Sequence, residues 1–286
     1  MKYENLVLDE ERALYGIHDA EIKSCTFAGK ADGESALKEC QALKIADCRF
    51  ELRYPLWHVQ QAEISDCILT DTCRAALWYD QGIHIRNSEL GGIKALRECD
   101  NTLLCACTMD STEFGWFCRG VKMDGCKLNG EYPFLQSRNM EILGLTMTGK
   151  YSFQYVENVT IRNSHLDTKD AFWHSKNVTV YDSVVKGEYL GWYSENLKLV
   201  RCKIIGTQPL CYAKGLVLED CEMEQTDLSF ENSEVMATIT GSVLSVKNPM
   251  HGSIVADSIG EIILDGHLPP DAHCDIVCRE QTEPTV

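Results

Sequence analysis

No stretch of the 286-residue sequence is apolar for long enough to cross a membrane as a helix. A secretory leader needs an unbroken apolar run near its start, and here Asp9, Glu10, Glu11 and Arg12 interrupt it. The expectation is an unexported, cytoplasmic protein with no membrane partner. Basic clusters are lacking too. With a formal charge of -16 and no Lys/Arg-rich block, the chain offers nothing to a polyanion, so nucleic acid is not an expected partner. Cys-x-x-Cys is absent, as is a glycine-rich phosphate loop, which removes the usual handles for thiolate metal centres and nucleotides. His267, His273, Cys274 and Cys278 come nearest to a zinc set, but their spacing is not read as a metal site. No metal and no cofactor are expected.

What the chain does have is repetition. The pattern apolar-x-x-(Cys/Ser/Leu)-x-apolar recurs with anchors at Cys25, Cys48, Cys67, Ser88, Cys107, Cys126, Leu145, Ser164, Ser183, Cys202, Cys221 and Ser242, mostly 19 residues apart. A near-constant period of that size means one supersecondary unit stacked on itself. The fifteen cysteines fit this reading. Their number is odd, and at the anchors Ser and Leu replace them, which describes a small buried slot and reduced thiols, not a disulfide framework.

Numbered from the anchor, the residues three before it (Ile22 to Ile239) and two after it (Phe27 to Leu244) are apolar, with polar residues between. That is the period-two alternation of a strand buried on one face. Turn-prone residues mark three corners per repeat: Asp, Asn or Gly directly before the anchor, Asn or Gly six before it, and a glycine set at Gly92, Gly130, Gly149, Gly187 and Gly206. Three corners predict three short strands per coil. Stacking coil on coil then pairs like strands in parallel around one core. The expected fold is all-β, a single-stranded right-handed parallel β-helix of about twelve coils. It is read as a single domain over 1–286, with 1–18 as N-terminal cap, 19–247 as coils, and 248–286 as last coil and C-terminal cap.

All five tryptophans, Trp57, Trp78, Trp116, Trp173 and Trp192, stand ten residues before an anchor. The next column carries His58, Tyr79, Phe117, Tyr155, His174, Tyr193 and Tyr212. On a strand, neighbours point opposite ways, so one of the two columns is expected to face solvent and the sequence leaves open which. Beside them run Arg53, Tyr54, Arg74, Lys94, Glu113, Lys169 and Asp170. Rings flanked by charges suit the apolar faces and hydroxyl edges of sugars, so the candidate ligand-binding set is Arg53, Tyr54, Trp57, Arg74, Trp78, Tyr79, Trp116, Lys169, Trp173, Trp192 and Tyr193. Candidate acids and bases on the same side are His58, His174, Asp80, Glu113 and Asp170. Two readings stay open. One is a carbohydrate-binding or carbohydrate-modifying protein with an aromatic groove. The other is a non-enzymatic scaffold, monomer or homodimer, whose aromatic face is a protein interface.

The coil pattern resembles the pectin-lyase-like superfamily of right-handed β-helices. More closely, DEERALYG (9–16), DGESALKE (32–39), RYPLWH (53–58), RAALWY (74–79), KDAFWHSKNVTVYDS (169–183), GEYLGWYSENLKL (187–199) and Asn248-Pro249 are similar to a bacterial family known as domain of unknown function 3737. The resemblance implies the same β-helix and a bacterial cytoplasmic protein, and brings no activity or catalytic residues with it. The label "hydrogenase" borne by some members implies nickel–iron or iron–sulfur ligation by paired Cys-x-x-Cys motifs, which this chain lacks. The polygalacturonase motifs Asn-Thr-Asp, Asp-Asp, Gly-His-Gly and Arg-Ile-Lys are absent as well. An enzyme of the polysaccharide lyase or glycoside hydrolase type would therefore have to work without them.

Overall fold

The computed structural model describes residues 1–29, 34–266 and 268–279. By its internal contacts the chain divides into two units, Met1–Thr148 and Gly149–Val286. Each is a stack of parallel coils, with no helix among the described residues. In strand Gln60–Ser65 the apolar Ala62 and Ile64 point inward while Gln61 and Glu63 point out. The strand pairs residue for residue with Gln41–Ala46 on one side and Gln81–Arg86 on the other. Strand Lys176–Tyr181 repeats the arrangement in the second unit, its Val178 and Val180 opposite Leu197 and Leu199. The fold is thus a parallel β-solenoid, and the crossover rule gives its coils a right-handed sense.

Three details depart from the sequence reading. The chain makes about fourteen turns, not twelve. The expected N-terminal cap extends the coils, Lys2–Glu4 pairing in parallel with the strand His18–Lys23, and the region expected as last coil and cap adds more than one strand, His251–Ala256 pairing with both Glu234–Thr240 and His273–Cys278.

Secondly, most coils have two strands, not three. The third side is a run in which alternate residues take positive φ, as at Tyr54 (53°), Leu56 (55°) and His58 (60°), or Asp170 (54°), Phe172 (61°) and His174 (53°). Among the described residues a short third strand forms where Leu77–Trp78 pairs with Leu96–Arg97. The left-handed conformation costs a non-glycine residue about 1–2 kcal/mol. Coil-to-coil backbone bonds offset that cost. Tyr54 and His58 donate to Arg74 O and Trp78 O of the next coil (3.0 and 2.9 Å), while Leu56 donates to Ala36 O of the preceding one (2.9 Å).

Thirdly, the repeat slips near its end. Leu218 lies opposite Ala237, but Cys221 lies opposite Ile239, so one residue is lost from the register between them. Ser242 and Leu244, expected at the anchor and in the core, are consequently exposed, Leu244 by 56%. Val243 and Val246 take the inward positions.

The other eleven anchors are buried, and they close a corner. Cys67 Sγ accepts from Cys48 N at 3.4 Å and donates to Ser65 O at 3.2 Å; Ser88 Oγ accepts from Cys67 N at 3.1 Å and donates to Arg86 O at 2.8 Å. A small side chain with both a donor and an acceptor is what that corner needs, so Cys and Ser interchange there. Burial raises the thiols elsewhere in the core, Cys40 to about 11 and Cys73 to about 12. That keeps them as inert thiols. Between the corners, phenylalanines stack through the interior, Phe27 on Phe50 at 4.7 Å and Phe153 on Phe172 at 5.2 Å.

Replacing Phe50 by Ala is expected to cost about 3–5 kcal/mol in urea unfolding, whereas Leu244→Ala should stay within about 0.5 kcal/mol. A large loss at Leu244 would contradict the slipped register.

Candidate functional site

The third side of the coil carries the residues singled out by the sequence. Because it is not a strand, its side chains do not alternate. Two consecutive residues point in and the next two point out. Pro55 and Leu56 are buried, Trp57 is half-buried and His58 exposed; Ala171 and Phe172 are buried, Trp173 half-buried and His174 exposed. Both aromatic columns therefore lie at the surface, which corrects the expectation that only one would.

In residues 1–148 the tryptophans build a ladder. Trp57 and Trp78 stack at 5.1 Å with 8° between their planes. The next rung is Arg97, whose guanidinium sits 5.8 Å from the ring of Trp78 and 5.8 Å from that of Trp116. Lys38 lies 4.0 Å over Trp57, and Lys94 5.7 Å over Trp116. Cations over tryptophan faces contribute about 0.5–2 kcal/mol each, according to exposure. Trp116 Nε1 donates to Tyr132 O at 2.6 Å, while the indole N–H groups of Trp57 and Trp78 are buried without an acceptor among the described residues. Tyr54 leans against both, at 6.3 and 6.1 Å. Arg53 is held by Glu34 at 2.7 Å, and Arg74 is exposed. His58 stacks on Tyr79 at 5.1 Å, and Glu98 beside Tyr79 raises its phenol above the usual range.

Residues 149–286 carry a second ladder. Trp173 and Trp192 stack at 5.4 Å and 4°, each indole clamped to the backbone, Trp173 to Tyr189 O (2.6 Å) and Trp192 to Gln208 O (2.8 Å). Outside them runs an unbroken pile of Tyr155, His174, Tyr193 and Tyr212, at 4.8, 5.0 and 4.9 Å. Lys169 pairs with Glu188 at 2.9 Å along its edge.

The candidate acids and bases are not gathered. Asp80 is interior, only 1% exposed, its Oδ1 accepting from Val59 N at 2.7 Å and its Oδ2 without a partner. Burial raises its carboxyl well above the usual range, with Cys99 adding to the effect. Asp170 is 4% exposed and likewise raised by burial. Glu113 is tied to Lys94 at 3.1 Å. His58 and His174 contact rings of neighbouring coils, not these carboxylates. No set of three His, Cys, Asp or Glu side chains able to hold a metal occurs among the described residues; His267 lies outside them.

Sequence reasoning missed two things. One is Arg97, although it occupies the tryptophan column. The other is a second column, eight before the anchor, that includes Cys and Ser: Ser137 Oγ accepts from Cys118 N at 2.8 Å, and Ala213 of that column donates to Ser233 Oγ at 2.9 Å. Asp80 is the acidic member of that column.

A family model described as "Protein of unknown function (DUF3737)" matches residues 1–277. Among solved structures, the chain is similar to the catalytic domain of a GH87 alpha-1,3-glucanase in complex with tetrasaccharides, with 9% identity and a TM-score of 0.39. The match covers 90% of this chain, which spans 63% of the length of that domain. Similar too are the A-module of the Azotobacter vinelandii mannuronan C-5 epimerase AlgE6 (12% identity, TM-score 0.32, 92% of this chain and 81% of that one) and the tailspike protein gp49 from Pseudomonas phage LKA1 (11%, 0.34, 92% and 50%). No curated protein matches the sequence.

Asp80 makes stability depend on pH. Its folded carboxyl holds a proton that the unfolded chain releases near the ordinary value, so native stability is fullest below that value and falls as pH rises toward the folded pKa. Asp80→Ser keeps an acceptor for Val59 N, as Ser137 does for Cys118. Urea midpoints measured from pH 4 to 8 should show the variant less pH-dependent and more stable at pH 7 than the parent. Parallel pH profiles for the two proteins would contradict a buried, protonated Asp80.

Proposed function

The chain belongs to the family described as "Protein of unknown function (DUF3737)", and on that footing we propose that it binds a saccharide along the aromatic side of its coils without cleaving it. The observation that carries this is the pile Tyr155, His174, Tyr193 and Tyr212. Its ring faces are taken up by one another, while Tyr155, His174 and Tyr193 present exposed polar edges at intervals of 4.8–5.0 Å. Phenol and imidazole edges both donate and accept hydrogen bonds, as sugar hydroxyls do. The Lys169–Glu188 pair adds a charged margin. Binding without cleavage follows from the carboxylates: hydrolysis needs two flanking one bond, and here Asp170 is buried and Glu188 is paired.

The second reading, an interface within a homo-oligomer or scaffold, has its own observation. Trp116, Trp173 and Trp192 already clamp neighbouring coils through backbone carbonyls, so the ladder has a structural task independent of any ligand. Exposed tyrosines beside such a strip suit a protein partner equally.

Tyr193→Ala should weaken oligosaccharide binding, measured by calorimetry, roughly tenfold, the equivalent of about 1.4 kcal/mol. The circular dichroism spectrum should not change. A protein that binds no oligosaccharide, and whose dimer in light scattering is lost on Tyr155→Ala or Tyr193→Ala, would support the interface instead.

A further inference from the structure

On the paired strands, several acids and bases set opposite one another by register close into ion pairs: Lys2 with Glu21 (3.1 Å), Lys122 with Glu141 (3.0 Å), Asp167 with Lys186 (2.8 Å) and Lys176 with Glu195 (3.1 Å). Others stay apart: among the described residues Glu4 and Lys23 form no ion pair, and Lys203, opposite Glu222, pairs with Glu224 instead. Strands Gln41–Ala46, Gln60–Ser65 and Gln81–Arg86 carry such an open row across three coils. Lys44 lies opposite Glu63, and Glu63 opposite His84. All three side chains are exposed, and none has a hydrogen bond or ion pair to another described residue. Glu21, opposite Lys44 on its other side, turns away to Lys2.

The row stands between two depressions. One, of about 630 Å³, is lined by Asp19, Glu21, Ala42, Gln61 and Gly82; the other, of about 470 Å³, by Ala46, Ser65, Arg86, Leu103 and Cys105. Lys44, Glu63 and His84 border both. Ala42 and Gly82 on one flank, and Ala46 and Ser65 on the other, keep the floor low.

The occupant of such a place must offer donors to Glu63 and acceptors to Lys44 within one coil spacing of about 4.8 Å. A polyanion would satisfy Lys44 and Arg86 but meet Asp19, Glu21 and Glu63; a polycation would meet the reverse. An apolar ligand would strip water from charges without replacing it. A small zwitterion spans a single step of the row. Only a chain of hydroxyls, each donor and acceptor at once, matches base, acid and imidazole in succession. We propose that the Lys44–Glu63–His84 row is a saccharide-binding site on the long-strand face of residues 1–148, separate from the aromatic side, with Gln61 and Arg86 as flanking contacts. It rests on the reading that the protein binds saccharides.

The test uses the full chain and neutral malto-, cello-, xylo- and manno-hexasaccharides, with binding read by calorimetry and folding by circular dichroism and thermal midpoint. Lys44→Met and Glu63→Gln remove single contacts, and Ala46→Trp fills a depression while leaving every charge in place. The expected result is two binding sites in the parent, one of them weakened tenfold or more in Lys44→Met and Glu63→Gln and lost in Ala46→Trp while the aromatic site still binds, all with unchanged midpoints. If these three bind like the parent while Tyr193→Ala does not, the row is overturned and the aromatic reading stands. If the three lose binding and Tyr193→Ala keeps it, the row stands and the aromatic side is not the site. A parent that binds none of the four sugars overturns both.

Discussion

Each coil gives its backbone donors to carbonyls of the coils before and after it, as Leu56 does to Ala36 and His58 to Trp78. Within a coil a few short turns close on themselves, as where Ser175 N–H donates to Phe172 O at 3.2 Å. The constraint of bonding between coils fixes the columns within the paired strands, and extra residues go outside them: Ile22 still lies opposite Ile45 and Ile64 opposite Ile85, all buried, although those coils are longer than 19 residues. The slip between Leu218 and Cys221 shows the consequence within the chain itself: buried Ile239, not Ser242, comes to lie opposite the Cys221 anchor, and Val243, not Leu244, is in the core. The same constraint holds the left-handed residues. Asn is common six before the anchor because its amide also forms a ladder of its own, Asn177 bonding Asn158 at 3.1 Å and Asn196 bonding Asn177 at 3.0 Å. Where glycine takes that place, at Gly215, an added Cβ would stand 2.6 Å from Asn196 Oδ1.

Stacking identical positions at strand spacing also decides what the aromatic side can do. Rings one coil apart fall naturally at about 5 Å, face to face, and each such pair adds about 0.5–1.5 kcal/mol beyond its burial. The faces are thereby used up, so an outside molecule meets edges. Ion pairs between coils follow the same geometry, yet being exposed they contribute about 0–1 kcal/mol each. Their value is in register more than in stability. Charges in register that stay apart, as Lys44, Glu63 and His84 do, leave their side chains open to an outside molecule.

Much of the fold was legible in the residues. The columns from Ile22 to Ile239 and from Phe27 to Met223 are interior, and the corner residues at Asp47, Asn87, Asn177 and Gly215 have positive φ. The candidate site was less legible. Asp80 and Asp170 look like surface acids beside aromatic neighbours, and both are buried. Arg97 looks like an interruption of the tryptophan column, and it is a rung of it.

By itself the sequence determined the period, the strand-forming columns and the corners, because hydrophobic spacing and turn chemistry are local properties that each repeat states again. The tertiary structure alone decided the third side of the coil. Alternating left-handed residues there cost free energy locally and persist only because coils above and below accept their hydrogen bonds. No single repeat encodes that arrangement. The same dependence on neighbours decided that both aromatic columns face outward, that their ring faces are closed, and that Lys44, Glu63 and His84 stand open.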